Sequence, residues 1–267
     1  MARAIRIPKF RIPLPKLPKT DEPYEDVFEE MTLAEHLEEL RSRIVKACLG
    51  IGAAFIVGLI LAGPALNLVR NAANVKQFQV IDATEPITTY FKVALYVAIS
   101  IAMPLIFYQA FAFIAPGLTR KEKRLVYSSL PFVVVFFLLG ASFAFFLAIP
   151  RAFKFLSSFK SDVFDYSPPA NSILSFYLQV TLGIGAAFEL PILMYLLSRI
   201  GLVSSQRMSK SRRYAFVVVL IAAAIITPTP DPFNMLFVAA PIYLLYEIGI
   251  FFAKAGYRRA HKEGRVS

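Results

Sequence analysis

The chain contains no tryptophan, one cysteine and two histidines among 267 residues. The lone Cys48 excludes an intrachain disulfide. His36 and His261 lie outside the long apolar runs, which argues against a histidine-built zinc site or a Ser–His protease within them. Charge is scarce as well: 18% of residues are charged, against ~25% in an ordinary soluble domain. No glycine-rich phosphate loop, no H-E-x-x-H and no G-x-S-x-G occurs. These absences leave no visible residues for enzymatic chemistry, and neither a cofactor nor a metal is expected.

What the chain has in excess is apolar surface. Hydrophobic residues make up 57% of it, with 25 Phe and 12 Tyr. A soluble fold of this length has no core able to hide so much, so the surplus is expected to face lipid. A net charge of +11 would point to nucleic acid in a soluble protein. Here the position of the charges carries the information, and no nucleic-acid partner is expected.

Spanning a ~30 Å hydrocarbon layer takes ~20 apolar residues in a helix. Ala47–Val69, Val93–Thr119 and Leu125–Pro150 carry no charge across comparable lengths. Ser172–Ser198 is interrupted once, by Glu189; Tyr214–Pro230 is short; Phe233–Ala253 contains Glu247. The spacing predicts an all-α integral membrane protein of six transmembrane helices. Lys and Arg gather on one side of these spans. The segments before Ile44, between the second and third spans, from Arg199 to Arg213, and from Lys254 onward hold 22 of them; the opposite loops hold five. That bias predicts both termini in the cytoplasm. The last two spans read as 14-residue segments, ending at Thr227 and at Tyr246. They would thin the bilayer or rely on Arg212 and Arg213 reaching to its surface, or simply tilt without consequence.

Outside the spans, residues 1–30 form a basic, proline-rich arm and an acidic linker, with six Lys/Arg and four Pro before Asp21. The arm opposes helix and lacks the apolar core of a signal peptide. It reads as a solvated tail or as a contact for anionic lipid. The membrane domain is expected at 31–256 and a basic tail at 257–267.

Three constellations carry polar chemistry. Thr32-Leu33-Ala34-Glu35 is a capping box that should start a helix at Leu33, with Leu33, Leu37, Leu40 and Ile44 on one stripe. Glu35, Glu38 and Glu39 crowd beside Arg41 and Arg43, and Glu39 and Arg43 have the favourable i,i+4 order. The cluster is either a self-paired helix end or a receptor for a cationic ligand. In Ala112–Arg124 a helix ends at Pro116-Gly117, and Glu122 stands alone among Arg120, Lys121, Lys123 and Arg124. Glu122 is either incidental or held to face the same ligand as Glu39. Third, Phe188-Glu189-Leu190-Pro191 places an acid inside a span, at a cost of ~2.5–3.5 kcal/mol on the lenient scales. Glu189 shares a helix face with Ser175, Leu182 and Gly185, and Pro191 predicts a kink because it deprives the Ala187 carbonyl of its donor. The Gly183-Ile184-Gly185 stretch reads as close helix packing rather than phosphate binding.

In this order, these pieces resemble the TatC family, the polytopic receptor subunits of twin-arginine protein translocases. The matching segments are His36–Arg43, Thr84-Glu85-Pro86, Tyr108-Gln109, Ala112–Leu118 with Glu122, Phe188–Pro191, Thr227–Asp231 and Tyr246-Glu247-Ile248. The resemblance implies a glove-shaped six-helix protein with a concave face. It implies recognition of twin-arginine signal peptides of folded precursors by Glu39 and Glu122, in a site shaped by Arg41, Arg43, Phe113, Pro116 and Arg124. It places Glu189 in a pocket facing single-span TatA and TatB partners, and Pro86 and Asp231 in far-side loops that matter for function. It further implies self-association in the receptor complex, residence in the cytoplasmic membrane, and export driven by the proton gradient. Lys121 stands where relatives often have His, and Ile173 where many have an aromatic residue. The competing class is a proton-coupled secondary transporter with Glu189 as its protonation site; it would leave the Glu35–Glu39 cluster unused.

Overall fold

The computed structural model describes residues 32–158, 168–227 and 231–262. The proline-rich arm and acidic linker, residues 159–167 and 228–230, and the end of the basic tail at 263–267 lie outside them. Among the described residues the structure is helical apart from one isolated parallel bridge between Gln79 and Pro169.

Helix α1 runs Leu33–Ala72 and opens on the capping box: Thr32 accepts from the Glu35 backbone N–H, and Glu35 accepts from the Thr32 N–H at 2.8 Å. Helix α2, Glu85–Ile114, has Pro86 in its first turn, where a missing N–H costs nothing. A 3-10 turn over Ala115–Gly117 leads to α3, Arg120–Ser128, and α4, Leu130–Phe143. A π-wound turn at Ala144–Ala148 joins α4 to α5, Ile149–Ser158, within one apolar rod from Arg120 to Leu156. Helices α6, Ala170–Ala187, and α7, Leu190–Arg199, meet at a break over Phe188-Glu189. The break lies where Pro191 removes a donor, as the sequence predicts. Helices α8, Ser205–Lys210, α9, Arg212–Ile226, and α10, Pro232–Lys262, complete the chain.

Helix α6 is the hub. Half of the apolar window of the α6–α7 rod is buried within the protein, against 6% for α1, whose outer face is left to lipid or a partner. Tyr177, Val180 and Ile184 of α6 form a core with Val93 and Ala94 of α2, Ala144 and Ile149 of the third rod, Ala223 of α9, and Val238 and Ile242 of α10. Glycines set the closest approaches. A Cβ on Gly58 would meet the Ala94 carbonyl oxygen of α2, and one on Gly185 would meet the Phe137 ring of α4. Gly183 likewise faces Ile226 of α9. The glycine pair in α6 is therefore a packing device.

Among the described residues, five helices or helix pairs are long and apolar enough to cross a membrane. The sixth apolar helix, α9, has 15 residues, ~22 Å at 1.5 Å per residue, and is short as predicted. The expectation of a second short span is corrected: α10 has 31 residues and does not stop at Glu247. The reason is a pairing. Arg212 donates from Nε and Nη2 to the two Glu247 carboxylate oxygens, at 2.7 and 3.0 Å. The fork neutralises Glu247, so the apolar stretch continues to Ala253. It also ties up one of the two arginines expected to reach for the bilayer surface. Helix α10 runs through Lys262, well into the stretch assigned to the basic tail.

The Gly58 contact makes a direct stability forecast. Gly58→Val should lower stability in detergent by ~1–3 kcal/mol through overpacking against α2. Gly63→Ala, whose Cβ would meet nothing within 4 Å, should not. Equal thermal midpoints for the two variants would contradict the α1–α2 packing.

Candidate functional site

At the end of the molecule that carries the basic loops, α1 and α2 are joined by side chains. The His36 ring stacks on Phe113 with centroids 4.3 Å apart. Two turns along α1, Arg43 donates from Nη2 to Glu39 Oε1 at 3.1 Å and from Nη1 to Gln109 Oε1 at 3.4 Å. Glu39 and Arg43 are largely shielded, whereas Glu38 and Arg41 form an open pair at 3.8 Å in solvent. Each of the three acids has a contact within the structure. Glu35 is committed to the helix cap, Glu38 pairs with Arg41, and Glu39 pairs with Arg43. Glu39 nevertheless keeps one carboxylate oxygen, Oε2, buried and without a hydrogen-bond partner.

Phe113 lies near the end of α2, and half-buried Pro116 turns the chain in the 3-10 segment that follows. Glu122 then occupies the first turn of α3. It is held there by Thr119 rather than by its basic neighbours: Thr119 N–H donates to Glu122 Oε2 at 2.9 Å, and Glu122 N–H donates to Thr119 Oγ1 at 3.4 Å. This is a second capping box, with the same T-x-x-E spacing as the first. Arg124 is exposed on α3. The His36–Phe113 stack and the Arg43–Gln109 bond thus bring the start of α1 to the end of α2, from which the Pro116 turn leads to Glu122.

Glu189 stands at the N-cap position of α7, at the break after α6, without a side-chain capping bond, and is 0% exposed. Neither carboxyl oxygen has a hydrogen-bond partner, and the group lies against the α4 backbone at Phe137. An enclosed, unpartnered carboxyl is costly in apolar surroundings, so packing alone does not account for it. Glu189 is thus enclosed within this chain at the α6–α7 break. An apolar cleft of about 440 Å³ is bounded by Leu61, Tyr96, Pro104, Phe137, Tyr177 and Thr181. Phe137 thus belongs to the cleft wall and also neighbours Glu189.

Pro86 and Asp231 lie elsewhere. Pro86 is 27 positions along α2 from Phe113, about 40 Å at 1.5 Å per residue. Beside it Glu85 accepts from the Ile81 and Asn171 backbone N–H groups, both at 2.8 Å. Lys92 donates to Asn171 Oδ1 at 2.6 Å and to Ser175 Oγ at 3.1 Å, which fastens the start of α2 to the start of α6. Asp231 caps α10, accepting from the Asn234 backbone N–H at 2.7 Å and from its side-chain amide at 2.8 Å.

Comparison with known proteins decides the family. The family model described as Sec-independent protein translocase protein (TatC) matches residues 35–241. The chain belongs to the TatC family. It is 33% identical to TatCy of Bacillus subtilis over 236 residues, 87% of this chain and 92% of that one. It is 38% identical to TatC of Helicobacter pylori over 225 residues, covering 83% and 87% respectively. A crystal structure of a twin-arginine translocase receptor, TatC, superposes with a TM-score of 0.75 at 32% identity, covering 83% of this chain and 99% of that one. Membership in TatC makes the chain a component of a protein translocase, not an enzyme, and a multi-pass membrane protein. It also favours the receptor reading over the solute transporter.

Within this TatC chain, sequence reasoning overlooked three features. The Thr119–Glu122 box was readable from its spacing. Lys92 and the Arg212–Glu247 fork were not, because their partners lie 79 and 35 positions away. The Thr119 box yields a measurable consequence. Thr119→Ala should speed hydrogen exchange of the Glu122 amide about fivefold, corresponding to ~1 kcal/mol of lost capping. Unchanged exchange would remove Thr119 as the residue that holds the loop acid.

Proposed function

We propose that this chain is the signal-peptide receptor of a twin-arginine translocase, inserted in the cytoplasmic membrane with both termini in the cytoplasm. The observation that carries the reading is the unpartnered Glu39 Oε2, shielded at the α1–α2 junction and joined through the Pro116 turn to the acid Glu122. Adjacent arginines of a precursor dock there, one on Glu39 and one on Glu122. Arg41, Arg43, Phe113, Pro116 and Arg124 shape the surface around them. A planar guanidinium matches a carboxylate in a way that a lysine ammonium does not. At ~4 Å and an effective dielectric near 20, each contact is worth up to ~4 kcal/mol before desolvation is counted.

The apolar stretch of the signal then lies in the cleft walled by Tyr96, Pro104 and Phe137. Partner subunits of the TatA and TatB type, and further copies of this chain, gather at the exposed helix faces, and folded cargo crosses at the expense of the proton gradient. Glu189, enclosed beside the Phe137 wall of that cleft, takes part in this step. The largely unburied outer face of α1 supports a role in assembly. Pro86 and Asp231 start α2 and α10 on the far side and set the shape of that mouth.

Binding of labelled peptides to the protein in nanodiscs tests recognition. An Arg-Arg signal peptide should bind at least tenfold more tightly than its Lys-Lys counterpart, and Glu39→Gln should erase the difference. Equal affinity of wild type for both peptides would defeat the receptor reading. Glu189→Ala should retain peptide binding while impairing co-purification with partner subunits and export; normal export by that variant would remove Glu189 from the mechanism.

A further inference from the structure

Gln109 is 8% exposed on α2, and its carbonyl oxygen reaches across to Arg43 of α1. The Arg43 guanidinium is consequently divided. Nη2 donates to Glu39 Oε1 and Nη1 donates to Gln109 Oε1. Two atoms remain buried without hydrogen-bond partners: Arg43 Nε and Glu39 Oε2. These are the donor and the acceptor that would close a side-on fork between the two residues. They belong to side chains already in contact, yet they do not meet.

The same chain shows the closed alternative. Arg212 meets Glu247 through Nε and Nη2, one to each carboxylate oxygen. A guanidinium beside a carboxylate ordinarily settles into this bidentate arrangement, which satisfies both oxygens. What distinguishes Arg43 is the third acceptor on Nη1. The His36–Phe113 stack, four residues along α2 from Gln109, holds the two helices at the separation that lets the amide reach Arg43. A neutral amide suits the task, because it draws the guanidinium without adding negative charge.

We infer that Gln109 is a positioning residue: by holding one arm of Arg43 it keeps the Arg43–Glu39 fork open and leaves Glu39 Oε2 unpaired, so that an arginine of the bound peptide pairs with it when docking uncovers it. The inference rests on the signal-peptide reading above. Without Gln109, Arg43 rotates onto both Glu39 oxygens and satisfies the site from within, so the peptide must displace a charge-assisted hydrogen bond before it binds.

The test uses the full chain in nanodiscs with the Arg-Arg and Lys-Lys signal peptides. Gln109→Met keeps the side-chain volume and removes the acceptor; Gln109→Glu keeps the acceptor. Gln109→Met should bind the Arg-Arg peptide about tenfold more weakly than wild type, and Gln109→Glu, which restores an acceptor for Arg43, should bind it more tightly than Gln109→Met. In the free protein, exchange of the Arg43 Nε–H with solvent, read by NMR on arginine-labelled samples, should slow about tenfold in Gln109→Met as the fork closes. Wild-type affinity in Gln109→Met overturns the inference while the receptor reading stands. Weakened binding with unchanged Arg43 Nε–H exchange also overturns it, since the loss then has another origin. Equal binding of both peptides by wild type removes the receptor reading and this inference with it.

Discussion

In a chain this apolar, each ionisable group near the hydrocarbon layer needs a partner, and much of the architecture answers that need. Glu247 is met by Arg212 from the start of α9, so α10 can remain one helix across it. Lys92 is met by Asn171 and Ser175, and Glu85 by two backbone N–H groups, so the first turns of α2 and α6 are bound together. These contacts lie at the rim of the helices, where water still reaches, and they fix which helix ends adjoin. Hydrocarbon supplies no comparable direction to helix association.

Against that background two acids stand out among the described residues. Glu39 has a partner but only for one oxygen, and Glu189 has none for either. One is at a surface junction between α1 and α2; the other is enclosed at the break between α6 and α7. Both occupy positions that the structure stiffens from outside, by aromatic stacking in the first case and by the Gly185–Phe137 approach of α6 and α4 in the second. A receptor that must select a cation and then admit apolar helices needs such sites kept incompletely satisfied. The stability for holding them open comes from the packed hub around Tyr177 and Ile184.

Helix ends carry as much of the design as helix faces. The Thr32 and Thr119 boxes bind Glu35 and Glu122 into first turns, and Asp231 caps α10. An acid in a first turn also complements the partial positive charge of the helix start. Glu122 can therefore stand among four basic residues in a defined orientation while its remaining oxygen is left to other contacts. The 3-10 turn at Pro116 sets where that helix begins relative to Phe113.

The sequence by itself determined what depends on near neighbours. Apolar run lengths determined an all-helical membrane fold, the spacing at Thr32 determined the start of α1, Pro191 determined the break beside Glu189, and the i,i+4 order determined the Glu39–Arg43 pair. Each is encoded within about one turn of helix, so it is legible without knowing the fold. The ordered motifs also carried the family. Only the tertiary structure decided that Arg43 is shared with Gln109, 66 positions away, that Arg212 meets Glu247 as α10 runs on past it, and that Glu189 is wholly enclosed beside Phe137. Those outcomes depend on which helix faces meet and at what height. Closest approach at Gly58 and Gly185 sets both, and no periodicity within a single helix records them.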